Sequence, residues 1–272
     1  MESKNQIKTI SSIKKIMEIF KNSQGEIRPH FFLTGSSGSG KSFTIQSLCD
    51  EVEIDYVEIN AAQLTKEGIS GNSLSKALVP LGQAQGKPVI CFVDEMDKLF
   101  ISGNSNKSLA HESTNGVQNE FLKVLESDEA SVFGQYGHFD TITVKNVLFL
   151  FAGAFNNEPD ITLDKLREFG VKTEFLGRVG LTYSLKKLSV EDLIEILKNS
   201  PLLKKYLELF EDVDEKKCVS EITNYVKENY ENNSLGARMI MTLIHQWFIN
   251  GGELGSKEVE SITFQNKLKL GK

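Results

Sequence analysis

One stretch of the sequence carries residues suited to phosphate chemistry. Gly35 and Gly40-Lys41-Ser42 fit the pattern G-x-x-x-x-G-K-S/T without a mismatch. Glycines allow the backbone N–H groups of such a loop to point inward around a phosphate, in conformations that a Cβ would resist. We expect Lys41 to reach the β- and γ-phosphates of a nucleoside triphosphate and the Ser42 hydroxyl to ligate Mg²⁺. The predicted nucleotide-binding residues here are Gly35, Ser36, Ser37, Gly38, Ser39, Gly40, Lys41, Ser42 and Phe43.

Two adjacent acids, Asp94 and Glu95, follow an apolar run at 88–93 and lie 53 residues or more after Lys41. Such a run is typical of a strand buried on both faces, and ligands bind at the carboxyl ends of strands in open parallel sheets. We expect Asp94 to hold Mg²⁺ through water and Glu95 to polarise the water that attacks the γ-phosphate. A lone Asp-Glu pair would be commonplace at a strand end, but beside a complete phosphate loop it predicts ATP hydrolysis.

Apolar spacing indicates the elements that must position these residues. A short buried strand at 31–33 precedes the loop and helical spacing at 43–49 follows it, which favours strand, loop and helix over an isolated Gly/Ser-rich turn. An amphipathic helix is predicted over 7–20, where apolar residues recur with a period of 3.6. The other predicted elements are strands at 56–59, 88–93, 139–144 (as an edge strand) and 147–152, helices at 74–81 and 117–125, and a polar surface loop at 101–114.

The pattern of the chain changes past Gly180. Ser189, with Asp192 three residues later, matches a capping box, and apolar residues at helical spacing dominate after it. We therefore predict an α/β fold in two domains. The first, over 1–187, is a nucleotide-binding domain with a parallel sheet flanked by helices, and the second, over 188–272, is a small, mostly helical lid.

Composition and charge exclude several classes of function. A formal net charge of −6 argues against a general nucleic-acid binder, although it does not exclude a local basic patch. Cys49, Cys91 and Cys218 lie far apart without a C-x-x-C pair, which excludes a zinc ribbon and is typical of reduced thiols in the cytosol. No apolar run approaches membrane-spanning length, and the polar start at 1–5 is not a signal peptide. The sequence predicts a cytoplasmic protein without a membrane partner.

The segment at 93–99 resembles the D-E-I-D-K segment of AAA+ ATPases of the ClpX and HslU type. Its sequence is Val-Asp-Glu-Met-Asp-Lys-Leu. Four further segments are similar to segments of these proteins and occur in the same order. Residues 116–123 are similar to the helix that follows the D-E-I-D-K segment, and residues 147–155 to the fourth core strand. Residues 174–178 are similar to the E-F-I-G-R arginine-finger box, and residues 235–238 to the sensor-2 G-A-R. The resemblance covers 7–247. It implies a P-loop AAA+ fold that binds ATP and Mg²⁺, hydrolyses ATP, assembles into a ring homo-oligomer (predicted as a hexamer) and remodels a protein substrate or works with an adaptor.

The resemblance also implies roles for three residues outside the phosphate loop. Arg178 would point from one subunit at the γ-phosphate bound by its neighbour, whereas the alternative is a surface arginine after a turn glycine. Arg238 would contact the phosphates from the helical domain, and its alternative is a solvated helix arginine. Ile7 aligns with a residue that lines the adenine pocket, and a packing residue of the first helix is an equal alternative.

The sequence departs from the resembling proteins at several places. Ile69 stands where the unfoldases carry an aromatic between loop glycines, so it predicts a weaker grip on a polypeptide. The comparison with these proteins leads us to expect that the amino-terminal zinc domain is lacking. Residues 156–173 leave no room for the insertion that docks a ring peptidase, which argues against such a partner. Asn156 or Asn157 would have to serve as the polar sensor-1 residue.

Three functions stay open at this point. The leading prediction is ATP-driven remodelling of proteins. A motor or loader acting on nucleic acid predicts basic residues facing the pore, where the sequence offers Lys66 and little else. A nucleotide-dependent assembly switch would have no need of the carboxylate at Glu95.

Overall fold

The computed structural model describes residues 7–66, 72–84, 86–100, 107–134, 138–210, 213–233 and 235–254, with the backbone alone at 107–114 and at 232. The predicted polypeptide-gripping residue Ile69 lies outside this range, as do residues 101–106 of the predicted surface loop. The chain divides into a larger unit, Gln6–Ser36 with Lys41–Lys186, and a smaller one, Met1–Asn5 and Ser37–Gly40 with Lys187–Lys272.

The larger unit is built on a parallel sheet. The described strands are β1 (Phe31–Thr34), β2 (Asp55–Asn60), β3 (Val89–Asp94), β4 (Glu129–Phe133), β5 (Phe139–Thr143), β6 (Val147–Gly153) and β7 (Leu181–Ser184). Five of them form the sheet in the order β2-β3-β6-β1-β7, with every pairing parallel. Strands β1, β3 and β6 lie inside the sheet and are buried along nearly their whole length, which explains their uninterrupted apolar sequences.

Helices cover both faces of this sheet. They are α1 (Ile7–Asn22), α2 (Lys41–Val52), α3 (Leu74–Ala77), α4 (Lys107–Glu126), α5 (Leu163–Glu168) and α6 (Thr173–Arg178). Because side chains alternate along a strand, Phe31 packs in one core with Ile13 of α1 and Ile45 of α2. Phe32 packs in the opposite core with Phe121 of α4 and with Phe175 of α6. The predicted α/β fold of a parallel sheet flanked by helices is confirmed.

The described part of the smaller unit contains four further α-helices. They are α7 (Val190–Lys198), α8 (Pro201–Leu209), α9 (Glu215–Asn229) and α10 (Arg238–Ile249). The predicted capping box begins α7, where Ser189 N donates to Asp192 Oδ2 at 2.7 Å and Asp192 N donates to Ser189 Oγ at 3.2 Å. Trp247 lies in the helical core and donates its indole N–H to Glu221 at 2.7 Å, so its polar atom is satisfied.

Two predictions of local structure are wrong. The polar stretch predicted as a loop is helical from Lys107 onward, because residues 107–114 contain no proline or glycine and extend the packed part of α4. The helix predicted over 74–81 stops at Ala77 and continues as a 3₁₀ helix, Val79–Ala84. Pro80 lacks the N–H that a longer α-helix would need at that place.

The edge strand predicted over 139–144 is confirmed as β5. It pairs antiparallel with β4 in a separate two-stranded sheet, in which both strands are edge strands. The sequence analysis did not anticipate β4 or β7. Both are short, and every second residue of β4 is exposed, so neither shows a continuous apolar signal.

Burial shifts the titration of one histidine and of the cysteines. Desolvation, aided by the nearby Arg28, lowers the pKa of His30 to about 4, and its neutral Nδ1 accepts a hydrogen bond from Phe149 N at 3.0 Å. Burial raises the pKa of Cys49 and of Cys218 to about 12, and it also raises the pKa of the fully buried Cys91. These groups are core residues with no reactive form near neutral pH.

Within the described residues, none of the helices has the length and apolar character required to cross a membrane.

Candidate nucleotide site

The predicted phosphate loop connects the end of β1 to the start of α2. Thr34 ends the strand and Lys41 begins the helix, so the chain reverses within six residues. Gly40 makes this turn with a φ of 86°, a conformation that a residue with a Cβ rarely adopts. Lys41 Nζ donates to Gly35 O at 2.7 Å and to Ser36 O at 3.1 Å, which folds the ammonium group back over the loop. A positive group and the first turn of α2 therefore face the place where a phosphate would bind.

Ser42 and Asp94 meet although they are far apart in sequence. Ser42 Oγ donates to Asp94 Oδ2 at 3.1 Å, while Asp94 Oδ1 accepts a hydrogen bond from Glu95 N at 2.8 Å. Both oxygens of Asp94 are engaged, so the carboxylate has a fixed orientation at the end of β3. Order within the sheet explains the contact, because β6 alone separates β1 from β3 and all three strands end at the same edge.

Glu95 stands at a sharp turn after β3. Its backbone is left-handed, with φ of 56° and ψ of 29°, and it precedes the 3₁₀ helix Met96–Leu99. Such a conformation costs free energy for a residue with a side chain and is found disproportionately at functional sites. The side chain of Glu95 is exposed, whereas Asp97, two residues on, is buried at 2% exposure and pairs with Lys98 Nζ at 3.4 Å. The turn thus separates an exposed acid from a buried one.

Other polar residues lie at the same edge of the sheet. Asn156 and Asn157 lie in the 3₁₀ helix Phe155–Asn157, which begins two residues after β6, and both are exposed. Asn60 ends β2 opposite Asp94 and accepts a hydrogen bond from Ala62 N at 2.9 Å. This hydrogen bond makes Asn60 the N-cap of the 3₁₀ helix Ala61–Gln63, a structural role that no motif in the sequence predicts.

Three predicted ligand residues lie at the surface. Ile7 is the first residue of α1 and is 47% exposed, so it is not a core packing residue of that helix. Phe43, on the first turn of α2, is 76% exposed. In the smaller unit, Arg238 Nη1 of α10 lies 3.4 Å from Ser37 Oγ.

Arg178 lies at the opposite edge of the sheet from the phosphate loop. It ends α6, three residues before β7, and β7 begins opposite Phe31, the first residue of β1. The phosphate loop instead follows Thr34, at the far end of β1, about 10 Å along the strand direction. The guanidinium is 53% exposed and pairs with Glu126 of α4, Nη2 to Oε1, at 3.0 Å. The structure thus does not bring Arg178 to Lys41, Ser42 and Asp94.

The residues present fit a Mg²⁺–triphosphate. Ser42 Oγ is a hard oxygen donor, and Asp94 Oδ2 lies 3.1 Å from it, where the carboxylate can accept a hydrogen bond from a water molecule bound to the same magnesium ion. In the part of the chain that the structure describes, no group of three or more His, Cys, Asp or Glu side chains could hold a metal ion. Phosphate oxygens of the nucleotide together with water would complete the coordination shell.

Three features define a P-loop NTPase: a strand–loop–helix with Lys41 and Ser42, an acid at the end of the buried strand β3, and a parallel sheet flanked by helices. Residues 31–175 match the model of the family described as "ATPase family associated with various cellular activities (AAA)". The chain belongs to this family. Membership confirms the prediction that it is an ATPase, and it confirms the resemblance to AAA+ proteins.

Individual relatives within this family are ClpX proteins. The chain is 26% identical over 264 residues to the ATP-dependent Clp protease ATP-binding subunit ClpX of Bacteroides fragilis and equally to that of Bacteroides thetaiotaomicron. It is 28% identical over 256 residues to ClpX 2 of Wolinella succinogenes. Each alignment covers 80% of this chain, and the chain spans 63% to 64% of the length of these relatives. The predicted ClpX-like character is thereby confirmed as a similarity.

Proposed function

We propose that this protein uses ATP hydrolysis to remodel other proteins and that it acts as a ring of identical subunits, a hexamer by its resemblance to ClpX. Lys41 and the backbone of residues 35–40 bind the phosphates, and Ser42 and Asp94 hold Mg²⁺. Glu95 polarises the attacking water, and Arg178 of one subunit stabilises the γ-phosphate charge in the next. Cytoplasmic location stays a prediction from the sequence.

The position of Arg178 is the observation that supports the ring. Because Arg178 lies at the amino-terminal edge of the sheet, its side chain is on the wrong side of its own subunit to reach its own triphosphate. It is nevertheless exposed and available to another subunit. A cyclic assembly repeats one head-to-tail contact between subunits. The Arg178 side chain at one edge of each subunit can therefore lie beside the nucleotide bound at the opposite edge of the next subunit.

The two parts of the chain have different roles in this proposal. Residues 1–187 form the nucleotide-binding domain, and residues 188–272 form a helical lid whose Arg238 contacts the bound phosphates. Nucleotide binding and release then move the lid, and the movement is applied to a protein substrate. Ile7 and Phe43 are proposed to contact the nucleoside, since both present apolar surface to solvent.

Subunit mixing tests the shared site. Arg178→Ala subunits and Glu95→Gln subunits are each expected to be inactive alone, because every interface in either ring lacks one of the two groups. In an equal mixture, about one quarter of the interfaces would join an intact Glu95 site to an intact Arg178, so we expect up to about one quarter of wild-type turnover. The measurement is phosphate release at saturating ATP.

Differently tagged subunits serve as the control, since copurification of both tags shows that mixed rings have formed. Mixed rings without turnover would contradict a finger supplied by the neighbour. Full activity of Arg178→Ala rings alone would remove Arg178 from the reaction altogether.

A further inference from the structure

Glu126 is the one side chain found paired with the Arg178 guanidinium in the described part of the chain. The contact joins the last residue of α4 to the last residue of α6, across 52 positions of sequence. The two side chains are 53% and 48% exposed. The pair is therefore at the surface, where a neighbouring subunit could approach it.

Stability alone does not account for a carboxylate at this place. Glu126 ends α4, and the negative end of the helix dipole disfavours an acid there. An ion pair with both members half exposed is screened by water and stabilises the fold only weakly, an effect comparable to that of the helix dipole. The two effects are of similar size and opposite sign, so the pair contributes little net free energy of folding.

The backbone of α6 is fixed without this pair. Phe175 is fully buried and its ring lies edge-on to Phe151 at 5.0 Å. At the start of α6, Lys172 Nζ donates to Asn119 Oδ1 at 2.6 Å. Helix α6 is thus attached to α4 and to the core before Arg178 is reached.

These contacts fix the backbone at Arg178 but not the conformation of its side chain beyond the Cβ. Several rotatable bonds separate the backbone from the guanidinium, and an exposed arginine samples many of their combinations. The hydrogen bond from Nη2 to Glu126 Oε1 selects one of them. It occupies part of the five-donor fork and leaves the remaining N–H groups able to donate to a phosphate.

We propose that Glu126 is a positioning residue that orients the Arg178 guanidinium toward the γ-phosphate bound by the neighbouring subunit. The inference rests on the proposed function, because it requires that Arg178 acts across a subunit boundary. A pre-oriented guanidinium meets the developing charge without first losing side-chain freedom. Loss of the carboxylate should lower turnover while leaving the affinity of the ring for ATP unchanged.

The test measures ATP turnover that depends on an Arg178 side chain supplied by one subunit to its neighbour. Arg178→Ala subunits are mixed with Glu95→Gln subunits, which supply intact fingers, or with Glu95→Gln/Glu126→Ala subunits, which supply fingers without their partner. We expect the second mixture to recover about tenfold less turnover than the first, at an unchanged KM for ATP. Glu95→Gln/Glu126→Gln subunits should recover turnover within about threefold of the first mixture, because the amide oxygen still accepts a hydrogen bond.

A matched control is available on the neighbouring helix. Arg167 and Asp164 of α5 form an exposed ion pair, also at 3.0 Å, so Glu95→Gln/Asp164→Ala subunits should rescue as well as Glu95→Gln subunits do. Equal ring assembly and thermal midpoints for all variants show that folding is not the cause of any difference.

The outcomes separate the two proposals. If Glu95→Gln subunits do not rescue Arg178→Ala subunits in rings that contain both, the shared site itself is wrong. If they rescue and the added Glu126→Ala change makes no difference, the shared site stands and the positioning role of Glu126 is refuted. A raised KM without a change in kcat would also refute it, since a positioning residue acts on the transition state.

Discussion

Replacing Glu95 by glutamine should lower the turnover number for ATP by about 100-fold or more, while the dissociation constant for ATP changes by no more than about threefold. The side chain is exposed at the end of β3, held there by a left-handed backbone. The amide keeps the size and polarity of the side chain but cannot accept a proton. Ser42 and Asp94 are untouched, so the magnesium site stays intact.

Nucleotide titration beside a phosphate-release assay separates binding from hydrolysis in this variant. Glu58→Gln is the control, because Glu58 is an exposed carboxylate on the neighbouring strand β2 that bonds only Tyr56 OH, at 2.9 Å, among the contacts described. Normal turnover by Glu95→Gln would show that another group activates the water.

Replacing Lys41 by alanine should act earlier, at nucleotide binding. The ammonium group already spans the loop through Gly35 O and Ser36 O, and it is the cation that the loop itself supplies to a phosphate. Loss of charge-assisted hydrogen bonds worth about 1.5 to 3 kcal/mol corresponds to an ATP affinity lower by about 10- to 150-fold. Calorimetric titration with ATP and Mg²⁺ measures this change.

Lys165→Ala is the matched lysine control, because Lys165 pairs with Glu158 on the surface of the same unit. Its ATP affinity should equal that of the wild type. An unchanged affinity in Lys41→Ala, or an equal loss in Lys165→Ala, would contradict the assignment of Lys41 to the phosphates.

The sequence predicted those parts of the fold that are marked by a pattern of neighbouring residues, such as an apolar run or a motif. Strands β1, β3 and β6 are buried on both faces, so each appears as an unbroken apolar run. The residues of the phosphate loop and the acids after β3 follow a fixed spacing, because a loop that wraps a phosphate has few alternatives. Strand β7 has the same length as β1, but it is partly exposed and contains polar residues, so it shows no unbroken apolar run.

The partner of Arg178 could not have been predicted from the sequence. Glu126 is one of many surface acids, and it meets Arg178 only because α4 and α6 pack side by side over Phe151. The contact depends on tertiary packing across 52 residues, for which neither periodicity nor a motif gives a signal. The start of α4 was missed for a related reason, since a polar helix segment without an apolar stripe looks like a loop.

The central claim is that ATP turnover by this protein is coupled to a polypeptide. The most direct test measures phosphate release by the wild-type protein with and without a permanently unfolded protein, reduced and carboxymethylated α-lactalbumin. Single-stranded and double-stranded DNA are the comparison. We expect the polypeptide to raise turnover by about twofold or more and either DNA to have no effect. Stimulation by DNA alone would favour a nucleic-acid motor, and unchanged turnover with every polymer would favour an assembly switch, so either result would contradict the proposed function.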